Sequence, residues 1–131
     1  MRKVYFMMKR NAIEILKLKE QKYIADAIKH MNYIDFAGKN LAVVVSDDCP
    51  ISMLAETMRC EEIDCDGLMV INMNSGLVSL RSIRDNFSCV KFAKQMSKFG
   101  GGHEKAAGFS LNQAVYGKVI LGMLSKQLNF R

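Results

Sequence analysis

Gly100-Gly101-Gly102-His103-Glu104-Lys105-Ala106-Ala107-Gly108-Phe109 is the stretch whose reading decides the fold. Three successive glycines are costly to order, because each loses more backbone entropy on folding than another residue would. In return the chain can take positive φ and let another molecule approach its amides closely, which is the chemistry of an anion cradle. His103, directly after the glycines, adds a side chain that can donate to a phosphate oxygen and whose charge is tunable near neutral pH. Ala106, Ala107 and Gly108 carry almost no bulk and fit a short strand pressed against a helix or a ligand. A glycine run after a helix also serves as a plain C-terminal stop and turn, so the flanking chain has to decide between the two.

On the N-terminal side, Asn86 or Ser88 can cap a helix running to Phe99, with Val90, Ala93 and Met96 inward and Lys91, Lys94 and Lys98 outward; Gly100 stops it. Before that helix, residues 68–73 and 77–83 read as a β-hairpin, with Asn74-Ser75-Gly76 supplying the turn. On its second strand Val78 and Leu80 share one face, Ser79 and Arg81 the other. On the C-terminal side, Phe109-Ser110-Leu111 makes or ends a strand, and Asn112 can cap a last helix carrying Val115, Val119, Ile120, Met123 and Leu124.

Further upstream, residues 11–36 repeat apolar side chains at three- and four-residue spacing (Ile13, Leu16, Ile24, Ala27, Ile28, Met31, Ile34), which predicts one long helix ended by Gly38. His30 on it reads as a solvated residue. Leu41-Ala42-Val43-Val44-Val45 reads as a strand buried on both faces. A crossover helix follows it, with Pro50 in its first turn, Asp47 or Asp48 as cap, and Ile51, Leu54, Ala55 and Met58 as its apolar stripe. The expected fold is therefore α/β, a small mixed sheet with helices packed on it, in the order α-β-α-β-β-α-β-α. At 131 residues the chain reads as a single domain, residues 1–131, able to bury about two thirds of its unfolded surface.

Composition narrows the classes. Cys49, Cys60, Cys65 and Cys89 show no Cys-x-x-Cys pair and neither His30 nor His103 is near them in sequence, so they read as reduced, buried thiols of a cytoplasmic protein rather than zinc ligands. The apolar runs are too short to span a bilayer, and no membrane partner is expected. Asp64-Cys65-Asp66 lacks a third ligand nearby and reads as a short acidic connection. The net charge of +6 includes Arg81, Arg84, Lys91, Lys94, Lys98 and Lys105 around the glycine loop. Solvated faces often look like this, but beside an anion cradle a basic patch points towards nucleic acid.

The run Gly-Gly-Gly-His-x-x-Ala-Ala-Gly-Phe at 100–109 resembles the signature of the C-terminal, DHH-associated substrate-binding domain of DHH-family phosphoesterases, such as RecJ-type exonucleases, nanoRNases and cyclic-dinucleotide phosphodiesterases. Ser79-Leu80-Arg81-Ser82 resembles the Ser-Leu-Arg-Ser strand that precedes the same motif. Alanyl-tRNA synthetases carry a related glycine-rich domain, but without this histidine and the Ala-Ala-Gly-Phe continuation. The resemblance implies Arg81, Ser82, Gly100, Gly101, Gly102 and His103 as substrate contacts, with Gly108 supporting the loop. It also implies a partner domain whose Asp and His clusters bind divalent metals, usually manganese, that activate the attacking water. This sequence holds no Asp-His-His triplet, so it reads as a truncated C-terminal half or a stand-alone relative, with no catalytic residues and no metal ligands of its own.

The leading expectation is a module that binds single-stranded or short nucleic acid, or a nucleotide, through a terminal phosphate while the DHH catalytic domain cuts. The alternative is a regulatory or sensor domain for a small anionic ligand such as a cyclic dinucleotide or polyphosphate. A third reading is an interaction domain using Met-rich faces, and the sequence leaves oligomerisation open.

Overall fold

A computed structural model describes residues 2–36 and 38–113. They fall into two compact units, one up to His30 and one from Met31 onward. The first is the helix α1 (Arg2–Lys29). The second contains β1 (Asn32–Phe36), β2 (Lys39–Val45), α2 (Ile51–Cys60), β3 (Gly67–Asn72), β4 (Leu77–Ser82), α3 (Cys89–Met96), β5 (Gly101–Gly102) and β6 (Ala106–Ser110), then a 3-10 turn at Leu111–Gln113. The last helix expected after Asn112 lies outside the described residues.

The α/β class and the mixed sheet agree with expectation, and two elements are corrected. Residues 32–36 form a strand, not the end of the long helix. Ile34 satisfied the helical spacing, but it also sits in the alternation Tyr33-Ile34-Asp35, where only Ile34 is buried. Gly38, at φ +78, then turns the chain from β1 into β2 instead of ending a helix. The second correction is β5, a two-residue strand that carries too few side chains to announce itself. On α1, Ile13 and Leu16 were expected on a buried stripe and are 44% and 59% exposed.

Six strands make one sheet in the order β1-β2-β3-β4-β6-β5, and only β2 and β3 run parallel. That pair is joined through α2, as a parallel connection requires. Alternation then assigns every side chain a face. Leu41, Val43, Met69, Ile71, Val78, Leu80, Ala107 and Phe109 lie on the face closed by Phe92, Ala93 and Met96 of α3, and together they form the main core. Phe92 meets Phe87 and Phe36 at ring-centroid distances of 5.6 and 6.2 Å. Phe87 and Phe92 are buried, and each contributes about 1.5–3 kcal/mol, while Phe36 packs against them half-buried. The opposite face buries Ala42, Leu68 and Val70 together with Leu54, Ala55 and Met58 of α2.

Local chemistry explains the ends. Ser88 caps α3, its Oγ accepting from Lys91 N. Pro50 is the N-cap of α2, just ahead of its first turn, and no side chain caps the helix, so neither Asp47 nor Asp48 plays that part. In the β3–β4 turn, Asn72 Oδ1 accepts from Asn74 N and Ser75 N at 3.0 and 3.1 Å, and the positive φ falls on Gly76 alone, at +73. Cys65 and Cys89 are buried as expected, but Cys60 is exposed and Cys49 half-buried. No described helix is long and apolar enough to cross a membrane.

Candidate phosphate-binding site

The glycine run does not act as one unit. Gly100 follows the end of α3, and its N–H donates to Ser97 O at 2.9 Å. A side chain there would stand 2.3 Å from Ala93 O, so Gly100 lets the chain cross tightly over the helix end. Gly101 and Gly102 form the edge strand β5, paired in register with Gly108 and Ala107. Gly102 takes φ +138 and approaches Ala107 so closely that a Cβ would lie 2.5 Å from its Cα. Gly101 has neither constraint, and a Cβ there would meet nothing within 4 Å.

His103 N donates to Ala106 O at 2.7 Å, which closes the turn into β6. Since bonded and non-bonded pairs alternate along an antiparallel ladder, Gly101 also faces β6, while the Gly102 N–H points to the open edge. The three amides expected to converge on a phosphate are thus divided. One bonds to a helix end, one to the ladder, and one is directed outward.

Register brings the two candidate donors together. Arg81 of β4 pairs with Ala106 of β6, and Ala106 faces His103 one residue beyond β5. At about 4.8 Å between strands, the Arg81 and His103 backbones stand about 10 Å apart on one sheet face, with only a methyl group between them. The adjacent row on the same face is Ser79, Gly108 and Gly101, again without bulk. The result is a shallow shelf: small floor residues, an arginine at one side, a histidine at the other. Its tip is held by backbone bonds, Ser82 N to Lys105 O at 3.1 Å and Cys89 N to Glu104 O at 2.7 Å, while the His103, Glu104 and Lys105 side chains remain exposed.

Ser82 is placed differently from Arg81. It is 4% exposed and turned to the α3 face, where its Oγ donates to Arg84 O at 2.6 Å. It stands behind the shelf rather than on it. Its carbonyl accepts from Arg59 Nη1 at 2.7 Å, a contact that no motif pointed to. Below this corner the Cys89 thiol is pushed up to about 11 by burial, an effect that the nearby charges of Arg81 and Arg59 only partly offset. It is not a nucleophile at neutral pH.

Comparison places the architecture among known structures. Neither a protein-family model nor a curated protein matches the sequence. An uncharacterized protein from Helicobacter pylori G27 superposes with a TM-score of 0.55 at 22% identity, over 75% of this chain and 28% of that one. RecJ from Thermus thermophilus, in complex with Mg2+, superposes at 0.52 and 16% identity, over 88% of this chain and 18% of RecJ. An exopolyphosphatase-related protein from Bacteroides fragilis gives 0.44 and 16%, over 85% and 36%.

The fold is shared with part of RecJ. This chain therefore spans well under half the length of each of these structures.

The acidic connection before β3 turns out to be structural. Asp66 accepts from Asn40 N at 2.8 Å and from Arg84 Nη1 at 3.1 Å, and Asp64 pairs with Arg84 as well. These contacts pin the β2, β3 and β4 ends together and neutralise Arg84. Among the described residues no three His, Cys, Asp or Glu side chains gather as metal ligands.

Proposed function

We propose that this chain is a DHH-associated substrate-binding module that holds the terminal phosphate of a short or single-stranded nucleic acid and does not itself cut it. The observation that carries the reading is the row Arg81–Ala106–His103: two donors at the ends of one cross-strand row, with a floor too small to block an anion between them. Arg81 supplies a planar fork suited to two phosphate oxygens, and His103 closes from the other side. Gly101 keeps the floor open and Gly102 offers its edge N–H. Gly100 and Ser82 fix the backbone behind them.

The Gly-Gly-Gly-His and Ser-Leu-Arg-Ser motifs and a fold shared with part of RecJ support this reading. On this reading manganese chemistry belongs to a DHH catalytic domain and not to this chain. What this chain contributes is position, since a held terminus converts an encounter into an oriented complex. The test compares 5′-phosphorylated and 5′-hydroxyl oligonucleotides of one sequence by titration against the full chain. The phosphorylated strand should bind at least about 10-fold tighter, the range of one charge-assisted hydrogen bond. Equal affinity would dismiss terminal-phosphate recognition, and a mononucleotide that outcompetes both strands would favour a small-ligand sensor instead.

A further inference from the structure

α1 carries its apolar side chains on two sides instead of one. Ile13 and Leu16 belong to the side that continues to Tyr23, Ile24 and Ala27, where Ile24 is buried and the other two are half-buried. Ile15 and Leu18 lie on the other side and are 53% and 64% exposed. A helix that is apolar on more than one side has more than one surface to cover.

That second side has a three- and four-residue spacing of its own, through Asn11, Ile15, Leu18, Lys22 and Ala25, and Val4 and Met8 extend it in the sequence. This is the spacing of a coiled-coil seam, with Ile15 and Lys22 at position a of the heptad and Asn11, Leu18 and Ala25 at position d. A β-branched residue at a with leucine at d favours two parallel strands. A lysine at a single a position fixes register at a cost in stability, which is the part Lys22 takes.

The same lettering puts Glu14 at g and Lys19 at e. In a parallel, in-register pair, g of one helix faces e of the next heptad on the other, so Glu14 meets Lys19 of the second copy, and symmetry makes the contact twice. An antiparallel pair faces g with g and e with e and loses both contacts. Neither Glu14 nor Lys19 has an ion-pair partner among the described residues.

We propose that α1 pairs with α1 of a second copy of this chain as a short, parallel, two-stranded coiled coil, with Ile15 and Leu18 in its seam and Glu14–Lys19 pairs along its two rims. This assembly does not depend on what the shelf binds, and it carries two shelves.

The test is sedimentation equilibrium of the full chain over about 1–200 µM, a range suited to a small interface, with far-UV circular dichroism melts of every variant. Wild type should approach twice the chain mass as concentration rises. Leu18→Glu should abolish association by setting two carboxylates in the seam, whereas Leu16→Gln, on the other side of α1, should change the dissociation constant less than about twofold. Glu14→Lys and Lys19→Glu should each weaken the dimer roughly 8- to 30-fold, because two pairs turn from attractive to repulsive. Combining Glu14→Lys with Lys19→Glu should restore it, and these exposed charge swaps carry the test if Leu18→Glu fails to fold. Wild type that stays monomeric throughout overturns the proposal. So does a folded Leu16→Gln variant that dissociates as fully as Leu18→Glu, since the seam then lies on the other side. A double swap as weak as the single ones also overturns it, because the helices are then not parallel and in register.

Discussion

Replacing the three loop glycines one at a time by alanine separates folding from ligand access. At Gly100 the added carbon would lie 2.3 Å from Ala93 O and 2.7 Å from its carbonyl carbon. Ala93 is fully buried in the last turn of α3 and its carbonyl already accepts from Ser97 N at 3.0 Å, so the helix end cannot move away cheaply. Overpacking of this kind costs about 1–3 kcal/mol. At Gly102 two penalties combine. The Cβ meets Ala107 Cα at 2.5 Å and Ala106 O at 2.6 Å, and φ is +138. A backbone held in such a region adds about 1–3 kcal/mol for a residue other than glycine.

Gly101 meets nothing within 4 Å and carries no positive φ, so alanine there fits. It should even stabilise by about 0.4–1 kcal/mol, because the unfolded chain loses freedom. Thermal unfolding followed by far-UV circular dichroism should rank the variants Gly101→Ala at or above wild type, then Gly100→Ala, then Gly102→Ala. At about 4 °C per kcal/mol for a domain of this size, the two lower variants are resolved easily. Binding should separate differently, since Gly101 lies on the shelf beside Arg81 and His103. Gly101→Ala should weaken phosphate binding without loss of stability. The reasoning is refuted if Gly101→Ala melts several degrees below wild type, or if Gly100→Ala and Gly102→Ala melt with it.

Three further outcomes follow from the same structure. Carefully purified chain should release no mononucleotides from single-stranded substrate with manganese added; manganese-dependent release would end the binding-module reading. Single-strand affinity should fall with salt at a log–log slope near −2.8 if about four phosphates are neutralised at ~0.7 each, which is roughly 600-fold per tenfold rise in salt, and a slope near zero would remove nucleic acid as ligand. The Asn40 N–H, and then Arg84, hold the Asp66 carboxyl below the usual carboxylate range despite burial. A depressed folded-state pKa adds stability above the unfolded value of about 3.9, and that stability is lost as pH falls through the folded value. Asp66→Asn should therefore cost about 1.5–3 kcal/mol at neutral pH and flatten the acid limb of the stability curve; an unchanged limb would show that the carboxylate is not held this way.

Much of the second unit was legible because its elements state their period clearly. The β-branched run at 41–45 can only be a buried strand, and Pro50 with the Leu54, Ala55 and Met58 stripe can only follow as a helix. β1 was lost because Ile28, Met31 and Ile34 continue a helical spacing by coincidence, and tertiary pairing with β2 overrides it. β5 was invisible in principle, since two glycines have no side-chain pattern to read. At the site, Arg81 and His103 were identified by motif, but that they share one cross-strand row depends on a register that only folding sets. The different constraints on Gly100, Gly101 and Gly102 depend on Ala93 and Ala107, which lie seven and five residues from the glycines they touch. Arg59 escaped altogether because its partner is a backbone carbonyl, which leaves no trace in side-chain chemistry.

The most direct measurement is a titration of a 5′-phosphorylated oligonucleotide against wild type, Arg81→Ala, His103→Ala and a charge control, Lys94→Ala, which is exposed on α3 across the sheet from the shelf. Arg81→Ala and His103→Ala should each bind roughly 10- to 150-fold more weakly, the value of one charge-assisted hydrogen bond to a partly desolvated anion. Both should keep stability within about 0.5 kcal/mol of wild type, because neither side chain fills the core. Lys94→Ala should lose less than about threefold, as a screened surface charge does. Arg81 and His103 variants that bind as tightly as the Lys94 control would contradict a phosphate held between them.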